Sequence, residues 1–347
     1  NHFKSESLFT SMKKLDLILR NTQEVIKQDE LEKLLRSTKK PVVYIGAAPT
    51  GKVHVAYLIL ASKLKDFIDA GFEVRFLLAN IHAYLDDRKS PWELTLARST
   101  YYKEVITAML KSVGADSRKV KFVLGSNFQM KKEYVMDLYK MMGMVNLTRA
   151  KRASSEVVRQ VSNPDLGSFN YALMQAIDVH HIGADVAFSG IDQRKIYMLA
   201  REEVPKLGHK KPTCVFTPII PGLFKGKKMS ASDTSSAITF EDTEKQIRKK
   251  MNKAYCPEGV VEDNGVLAMA KYVIFPVRET FKIVRPDQYG GTVEYNSYEQ
   301  LEKDFKTKKI HPADLKSGVS DELIKFIAVV QKHFKNKQSI IKKAYPK

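Results

Sequence analysis

The stretch from residue 41 to residue 79 constrains the fold more than any other part of the sequence. Pro41 is followed by an apolar run from Val42 to Gly46, a loop containing Gly and Pro, a helical pattern from about His54 to Asp69, and a second apolar run from Glu73 to Ala79. Two buried parallel strands joined by a helix within about 40 residues form the crossover from which doubly wound sheets are built. We therefore predict an α/β fold with a Rossmann-type parallel sheet.

The remaining hydrophobic periodicity divides the chain into three parts. Residues 11–36 show helical spacing and predict two short helices in an N-terminal appendage. The segment Val204–Ser232 holds six lysines and no acid, and it predicts a mobile loop that faces phosphates. The predicted parts are an appendage at 1–40, a Rossmann-type domain at 41–233 with a helical insertion at about 91–165 and a lysine loop at about 222–233, and a helical C-terminal domain at 234–347.

Composition and charge exclude several classes of protein. The 347 residues are 44% hydrophobic and 28% charged, which is unlike a disordered chain, and the two cysteines rule out a disulfide framework and a cysteine-ligated zinc site. No apolar run approaches the roughly 20 residues of a membrane span, and the N-terminal residues lack a secretory pattern, so we expect a cytoplasmic protein without a membrane partner. Lys and Arg total 58 against 39 Asp and Glu, a net charge of +19 that favours a nucleic-acid partner.

The loop after the first predicted strand, Gly46 to Tyr57, carries the first chemical motif. It nearly matches a P-loop, but Val53 stands where a magnesium-binding Ser or Thr is needed, and Pro49 removes a backbone N–H from the phosphate cradle. The alternative uses His54 as a phosphate donor at the start of the helix, with the small Ala56 letting a flat base approach the backbone.

A second motif, Lys228-Met229-Ser230-Ala231-Ser232, follows 174 residues after His54. The ordered pair resembles the HIGH and KMSKS signatures of class I aminoacyl-tRNA synthetases. That resemblance implies ATP as a substrate, with Mg²⁺, and makes His54, Lys228 and Ser230 the candidate catalytic residues. The implied ATP-binding residues are Gly46, Gly51, His54, Ala56, Tyr57, Lys228 and Met229.

A third constellation lies on the predicted helix around Tyr171 to His181. Tyr171, Gln175 and Asp178 are spaced so that all three side chains share one stripe of the helix and face one pocket. A buried stripe at this spacing is ordinarily apolar, because burying an unpartnered phenol, amide or carboxylate costs a few kcal/mol each. The stripe therefore predicts a binding site for a polar ligand.

Together these motifs resemble the tyrosyl-tRNA synthetases of the archaeal and eukaryotic cytosolic branch. The resemblance runs from about Tyr44 to Phe334, through VYIGAAPTGKVHVAY, NIHAYLDD, YALMQAID, SGIDQRKI, PGLFKGKKMSAS and KKIHPADLK. It implies that L-tyrosine is activated with ATP to tyrosyl-adenylate and then transferred to the 3' adenosine of tRNA(Tyr). It further implies that Tyr44 and Asp178 bind the phenolic hydroxyl of the substrate, and that Tyr171, Gln175 and Gln193 hold its ammonium group.

The same resemblance implies the partners. Arg194 and Lys195 would lie near the first acceptor base pair of the tRNA, and Tyr289, His311 and Asp314 would contact the first anticodon base. The insertion, with its long helix at 91–113 and Met-rich segment at 136–144, resembles the part of the family that forms a homodimer.

Two residues depart from the signatures: Tyr57 replaces the second histidine of HIGH, and Ala231 replaces the second lysine of KMSKS, a charge that Lys225, Lys227 or Lys52 would have to supply. Three alternatives stay open: a tryptophan-specific synthetase, a catalytically silent RNA-binding paralogue, and a nucleotidyltransferase acting on a free metabolite. We expect no protein-bound metal. The histidines and acids that cluster in the sequence lack the spacing of a metal site, namely His82, His180 and His181 with Asp86, Asp87 and Asp185.

Overall fold

The computed structural model describes residues 12–86, 89–157, 164–225 and 237–346. Its centre is a six-stranded sheet with the order β1-β6-β5-β2-β3-β4. Within the described residues, every neighbouring pair of this sheet is parallel except β1 and β6. The strands are β1 (Glu24–Ile26), β2 (Val42–Ala47), β3 (Glu73–Leu78), β4 (Val120–Leu124), β5 (Val186–Gly190) and β6 (Thr213–Thr217).

The order in which the chain visits these strands makes the sheet doubly wound, as predicted. From the central strand β2 the chain runs outward through β3 to β4, and it then returns to β5 and β6 on the other side of β2. The reversal leaves a crevice at the carboxyl ends of β2 and β5, where open α/β sheets bind their ligands. Val43 and Val74 are fully buried, as expected for parallel strands that are covered on both faces.

Helices cover both faces of the sheet and form most of the C-terminal region. They are α1 (residues 12–19), α2 (Gln28–Ser37), α3 (Tyr57–Asp69), α4 (Asn80–Leu85), α5 (Thr95–Ser112), α6 (Ser126–Gln129), α7 (Lys132–Met144), α8 (Leu147–Ser154), α9 (Leu166–His181), α10 (Arg194–Glu203), α11 (Glu244–Asn252), α12 (Gly265–Met269), α13 (Tyr298–Lys306), α14 (Pro312–Phe334) and α15 (Gln338–Ala344). Among the described residues, none of these helices combines the length and the apolar character that crossing a membrane requires.

Two strands lie where the sequence analysis wrongly predicted a helix and a loop. The appendage contains β1 between α1 and α2, because the apolar pair Val25 and Ile26 pairs with β6 and adds β1 at the edge of the sheet. Strand β6 itself lies inside the lysine-rich segment that was predicted to be a loop. All five of its residues are buried, and it pairs with β5 through Val186 and Thr213. Lys210 and Lys211 lie just before this strand, and the loop prediction is wrong for residues 213–217.

The C-terminal region is helical as predicted but includes one antiparallel hairpin, β7 (Phe281–Ile283) with β8 (Val293–Tyr295). Its last helices pack directly on α5 of the Rossmann-type part. The ring of Phe334 lies 5.9 Å from that of Tyr101, and His333 Nε2 lies 2.7 Å from a carboxylate oxygen of Glu104. The apolar core is continuous between the two parts. The domain boundaries at residues 40 and 233 therefore stay predictions.

Candidate active site

A cavity of about 400 Å³ opens at the carboxyl ends of β2 and β5, the position that the sheet topology indicates. It brings together side chains from two motifs that are more than 100 residues apart in sequence. The predicted site residues among those that line it are Tyr44, Gly46, His54, Ala56, Tyr57, Tyr171, Gln175, Asp178 and Gln193.

Helix α9 presents its polar stripe to this cavity, as the spacing of Tyr171, Gln175 and Asp178 predicts. All three side chains are buried, and Asp178 has no exposed surface at all. The ring of Tyr171 packs edge-on against the ring of His82, with 4.7 Å between the ring centres. The stripe is therefore part of the inner wall of the cavity.

Asp178 is the most constrained polar group in the cavity. Its Oδ1 accepts hydrogen bonds from the hydroxyl of Tyr134 at 2.7 Å and from the amide of Gln129 at 2.9 Å. Its Oδ2 is buried and accepts none, with His82 Nε2 3.7 Å away. Burial raises the pKa of Asp178 to about 7, and the bonds from Gln129 and Tyr134 oppose that rise. A buried acceptor without a partner costs free energy unless a ligand supplies the donor.

Tyr44 projects from β2 into the same end of the cavity. It is almost completely buried, and its hydroxyl lies 3.5 Å from the hydroxyl of Tyr197. Burial raises the pKa of Tyr44 well above its usual value, followed by the influence of Tyr197 and Asp178. The phenol of Tyr44 is therefore neutral and can donate or accept a hydrogen bond.

Gln175 of the polar stripe lies beside Gln193, which follows β5. The amide nitrogen of Gln175 donates to the amide oxygen of Gln193 at 2.5 Å and lies 3.2 Å from the hydroxyl of Tyr197. These contacts fix the orientation of the Gln175 amide, because its nitrogen faces two acceptors. The contacts also link β5, through the turn that follows it, to α9.

The loop before α3 forms the other wall, and it differs in one respect from the prediction. The helix begins at Tyr57 and not at His54, because His54 pairs as a short β-bridge with Thr239 and Val55 N–H donates to the carbonyl of Ile238 at 2.9 Å. His54 is 7% exposed, and its Nδ1 is buried without a hydrogen-bond partner. Burial lowers the pKa of His54 to about 4, so the imidazole is neutral at pH 7.

Gly51 and Lys52 lie at the outer turn of this loop, away from the residues that line the cavity. The carbonyl of Gly51 accepts hydrogen bonds from the hydroxyls of Tyr102, at 2.9 Å, and Tyr345, at 2.6 Å. Lys52 Nζ lies 2.6 Å from a carboxylate oxygen of Glu241. A P-loop lysine would have to face the phosphates, so the ion pair of Lys52 argues further against that alternative.

Among the described residues, those predicted to bind the tRNA do not line the cavity. Lys228, Met229, Ser230 and Ala231 fall outside the described residues. At the start of α10, Arg194 forms a two-bond ion pair with Glu24, at 2.6 and 3.0 Å, and Lys195 Nζ lies 2.7 Å from a carboxylate oxygen of Glu156.

The predicted anticodon residues are grouped near the β7–β8 hairpin and the start of α14. The side chain of Tyr289 is 64% exposed, in the turn between the two strands. His311 caps α14, since its Nδ1 accepts from the backbone of Ala313 at 3.2 Å, and Asp314 stands in the first turn of the same helix. The ring of Tyr289 is therefore exposed, whereas Asp314 is half-buried.

The sequence analysis assigned no site role to four residues. Gln129, Tyr134 and Tyr197 form hydrogen bonds with residues that line the cavity, and His82 lines it itself. The first two follow the carboxyl end of β4, which is the edge of the sheet where ligands bind. That rule was the available signal, but no local spacing connects Tyr134 with Asp178, which lies 44 residues further along the chain.

Comparison with known proteins agrees with this geometry. The family profile described as tRNA synthetases class I (W and Y) matches residues 36–328. The tyrosine–tRNA ligase of Natronomonas pharaonis is 46% identical over 340 residues, covering 97% of this chain and 98% of that protein. The cytoplasmic tyrosine–tRNA ligase of Saccharomyces cerevisiae is 41% identical, covering 95% and 87%. The crystal structure of the Archaeoglobus fulgidus tyrosyl-tRNA synthetase with L-tyrosine superposes with a TM-score of 0.88 at 42% identity, covering 93% of this chain and 99% of that one.

The fold and the cavity thus define an aminoacyl-tRNA synthetase of class I, in the group that contains the tryptophan and tyrosine enzymes. Within that group, the chain belongs to the tyrosine–tRNA ligase family of archaea and the eukaryotic cytosol. A tryptophanyl-tRNA synthetase from Giardia lamblia shares only 19% identity at a TM-score of 0.68, so its likeness extends to the fold alone.

Proposed function

We propose that the cavity binds L-tyrosine and ATP, and that the chain joins the tyrosyl group to tRNA(Tyr). The observation that carries this proposal is the unpartnered Oδ2 of Asp178, a buried acceptor at the closed end of a cavity. The phenolic hydroxyl of tyrosine would donate to this oxygen and would exchange a second hydrogen bond with Tyr44. Phenylalanine would fill the same volume but leave Asp178 unpartnered, which disfavours its binding.

The other end of the amino acid would face the glutamines. The amide oxygens of Gln175 and Gln193 and the hydroxyl of Tyr171 are suited to accept hydrogen bonds from an ammonium group. The Gln175–Gln193 contact orients these acceptors before the substrate arrives. The tyrosine carboxylate would then point towards the loop that contains His54 and Ala56.

Activation is an in-line displacement. A carboxylate oxygen of tyrosine attacks the α-phosphorus of ATP, and the bond from that phosphorus to pyrophosphate breaks. In the second step, a hydroxyl of the terminal adenosine of the tRNA attacks the acyl carbon, and AMP leaves. The protein contributes alignment and charge to both steps. Magnesium enters with ATP as part of the substrate, and we assign it no ligand from the chain.

The two catalytic motifs, the loop that contains His54 and the loop that contains Lys228, would differ in the charge that they bring to the phosphates. Because burial lowers the pKa of His54 to about 4, His54 would contribute an N–H hydrogen bond to the phosphates and no positive charge at pH 7. Positive charge at the leaving pyrophosphate would therefore come from Lys228, with Ser230 as a hydroxyl donor. Lys52 is poorly suited to replace the lysine missing at Ala231, since Lys52 is paired with Glu241. Lys225 and Lys227 remain the candidates for that charge.

For the tRNA, we propose that Arg194 and Lys195 contact the acceptor end and that Tyr289, His311 and Asp314 contact the first anticodon base. The net charge of +19 and the exposed ring of Tyr289 support this. Tyr289→Ala and Asp314→Ala should each lower kcat/KM for aminoacylation of the tRNA. The expected loss is equivalent to roughly 1 to 3 kcal/mol of transition-state stabilisation. Pyrophosphate exchange, which needs no tRNA, should change by less than about twofold in both variants. A fall in exchange would show that these residues support the fold instead.

We also propose a two-fold homodimer in the cytoplasm, with residues 41–233 as the catalytic domain, 234–347 as the anticodon-binding domain and 1–40 as an appendage. Helix α7 exposes Met136, Tyr139 and Met142, which lie three residues apart on one face, and Leu96 of α5 is also exposed. Exposed apolar side chains on one face of a helix, as on α7, favour association. Light scattering at micromolar concentration should give twice the mass of the chain, and a monomer mass would contradict the dimer.

One assay tests the central proposal. Pyrophosphate exchange with each of the twenty amino acids should be fastest with L-tyrosine and should depend on Mg²⁺. Preference for tryptophan would identify the chain as a tryptophan-specific synthetase. Exchange with none of the twenty amino acids would support the alternative of a catalytically silent RNA-binding paralogue.

A further inference from the structure

A cluster of metal-ligating side chains lies behind the cavity, among groups that the proposed reaction does not use. Asp137 belongs to α7, His181 is the last residue of α9, and His209 follows the left-handed turn at Gly208 that precedes β6. Asp137 Oδ2 lies 3.0 Å from His181 Nε2 and 2.7 Å from His209 Nε2. The three ligand atoms all lie within 4.8 Å of one another.

The surroundings of the cluster are suited to a cation. The three side chains are between 9% and 20% exposed, so an ion could enter from solvent yet be largely shielded. The ring of His180 stacks on that of His209 at 3.5 Å, which holds His209 in its orientation. Lys140 Nζ lies 3.5 Å from the other oxygen, Oδ1, of Asp137.

Contrary to the expectation from sequence spacing that the chain binds no metal, we propose that Asp137, His181 and His209 form a binding site for one divalent transition-metal ion, with zinc as the best match. Two imidazoles and one carboxylate are a typical zinc donor set, and a water molecule would complete four-fold coordination. Tetrahedral zinc bonds of about 2.0–2.1 Å require ligand atoms about 3.3 Å apart, so shifts of about 1 Å or less would open the cluster around the ion.

The position of the site gives the ion a structural role. It would cross-link α7, α9 and the segment before β6, and these three elements otherwise meet through side-chain packing and hydrogen bonds. Tyr134 lies one turn before Asp137 on α7, its ring is 4.8 Å from the ring of His181, and its hydroxyl donates to Asp178. The bound metal would therefore hold Tyr134 against the carboxylate of Asp178.

The experiment is a zinc titration of the chelator-treated full chain, measured by competition with a chromophoric chelator. We expect one equivalent of zinc per chain at micromolar or tighter Kd, and a rise of several degrees in Tm when zinc is in excess. His209→Ala and Asp137→Asn should each weaken binding at least about tenfold. His311→Asn is the matched control, because it removes an exposed histidine but keeps a residue that can cap α14, and its zinc affinity should equal that of the unmodified chain.

Cobalt supplies a second readout that does not depend on stability. Co²⁺ bound to the unmodified chain should give the visible absorption of tetrahedral coordination, and His209→Ala should lose it. If Asp137→Asn fails to fold, His181→Ala takes its place in both measurements. Zinc affinity unchanged in His209→Ala, or binding only at millimolar zinc, would overturn the proposal and leave the cluster as a hydrogen-bond network.

Discussion

The two halves of the cavity are built by different means. In the amino-acid half, side chains of α6, α7 and α9 bond directly to one another, as Gln129 and Tyr134 do to Asp178. In the nucleotide half, a stretch of irregular backbone before α3 is held by groups from distant parts of the chain. The carbonyl of Gly51 accepts hydrogen bonds from the hydroxyls of Tyr102 in α5 and Tyr345 after α15. In the proposed function, recognition of the tyrosine hydroxyl would therefore rest on packed helices, whereas alignment of ATP would rest on a tethered loop.

The largest effect should come from the charge on the nucleotide side. Lys228→Ala should slow adenylate formation by about 10²- to 10³-fold, the usual loss when one preorganised contact to transition-state charge is removed, with little change in tyrosine affinity. Pre-steady-state kinetics of adenylate formation measures both quantities. Lys103→Ala, which removes an exposed lysine from α5, is the control. An equal loss of tyrosine affinity would show that the two halves are not separable.

Asp178→Asn should have the next largest effect, on the amino-acid side. The amide is a weaker acceptor for a phenolic proton, and hydrogen bonds to charged groups are worth about 1.5–3 kcal/mol, so kcat/KM for tyrosine should fall by about 10- to 150-fold. The activity with phenylalanine should fall less, and the KM for ATP should change by less than about twofold. Pyrophosphate exchange with both amino acids measures this. Unchanged discrimination would remove Asp178 from the recognition site.

The same division explains how far the sequence could predict the site. The polar stripe on α9 was predictable because Tyr171, Gln175 and Asp178 are close in sequence and helical spacing alone puts them on one face. The hydroxyl of Tyr134 reaches Asp178 only because the fold brings α7 beside α9. The local spacing of residues in the sequence does not predict that contact. The loop before α3 was predictable as a motif. Its hydrogen bond from Tyr345 was not, because Tyr345 and Gly51 are separated by nearly the whole length of the sequence.

The fold shows the same limit. Strand β2, its helix and β3 were predicted because a crossover is a local unit with strong periodicity. Strand β6 was missed because it has only five residues within a lysine-rich stretch of sequence, and it is held in the sheet by pairing with β5 and β1. Short strands of this kind form because of their neighbours in the sheet, and the local sequence does not reveal which strands those neighbours are.

A pH profile should show a smaller effect, limited to the amino-acid half. Burial gives Asp178 a pKa of about 7 before tyrosine binds, and a phenol that donates to the carboxylate lowers that pKa in the complex. The ionised form therefore binds tyrosine better, and the KM for tyrosine should fall by about threefold to tenfold as the pH rises from 6 to 8. His82, with a pKa lowered to about 4 by burial, stays neutral throughout. Asp178→Asn should abolish the dependence, and a KM that rises with pH would contradict the assignment.

The smallest effect should come from the tether on the nucleotide side. Arg98 donates to the carbonyls of Thr50 and Ala344, and its guanidinium lies over the ring of Tyr345, so the C-terminal residues and the loop are held together. Tyr345→Phe keeps the ring but removes the hydrogen bond to Gly51. A single neutral hydrogen bond is worth about 0.5–1.5 kcal/mol, and Tyr102 still donates to the same oxygen, so the KM for ATP should rise only about twofold to fivefold.

The sharper test of this tether is the double variant. Because both hydroxyls serve one carbonyl, Tyr102→Phe and Tyr345→Phe together leave Gly51 without either donor, and the loss should exceed the sum of the two single losses. The KM for tyrosine should stay within about twofold, since neither side chain lines the amino-acid half. Tyr139→Phe, exposed on α7, is the control for removing a hydroxyl. Strict additivity would mean that the two tyrosines act at separate points, and an equal rise in both KM values would mean that the halves of the cavity are held as one unit.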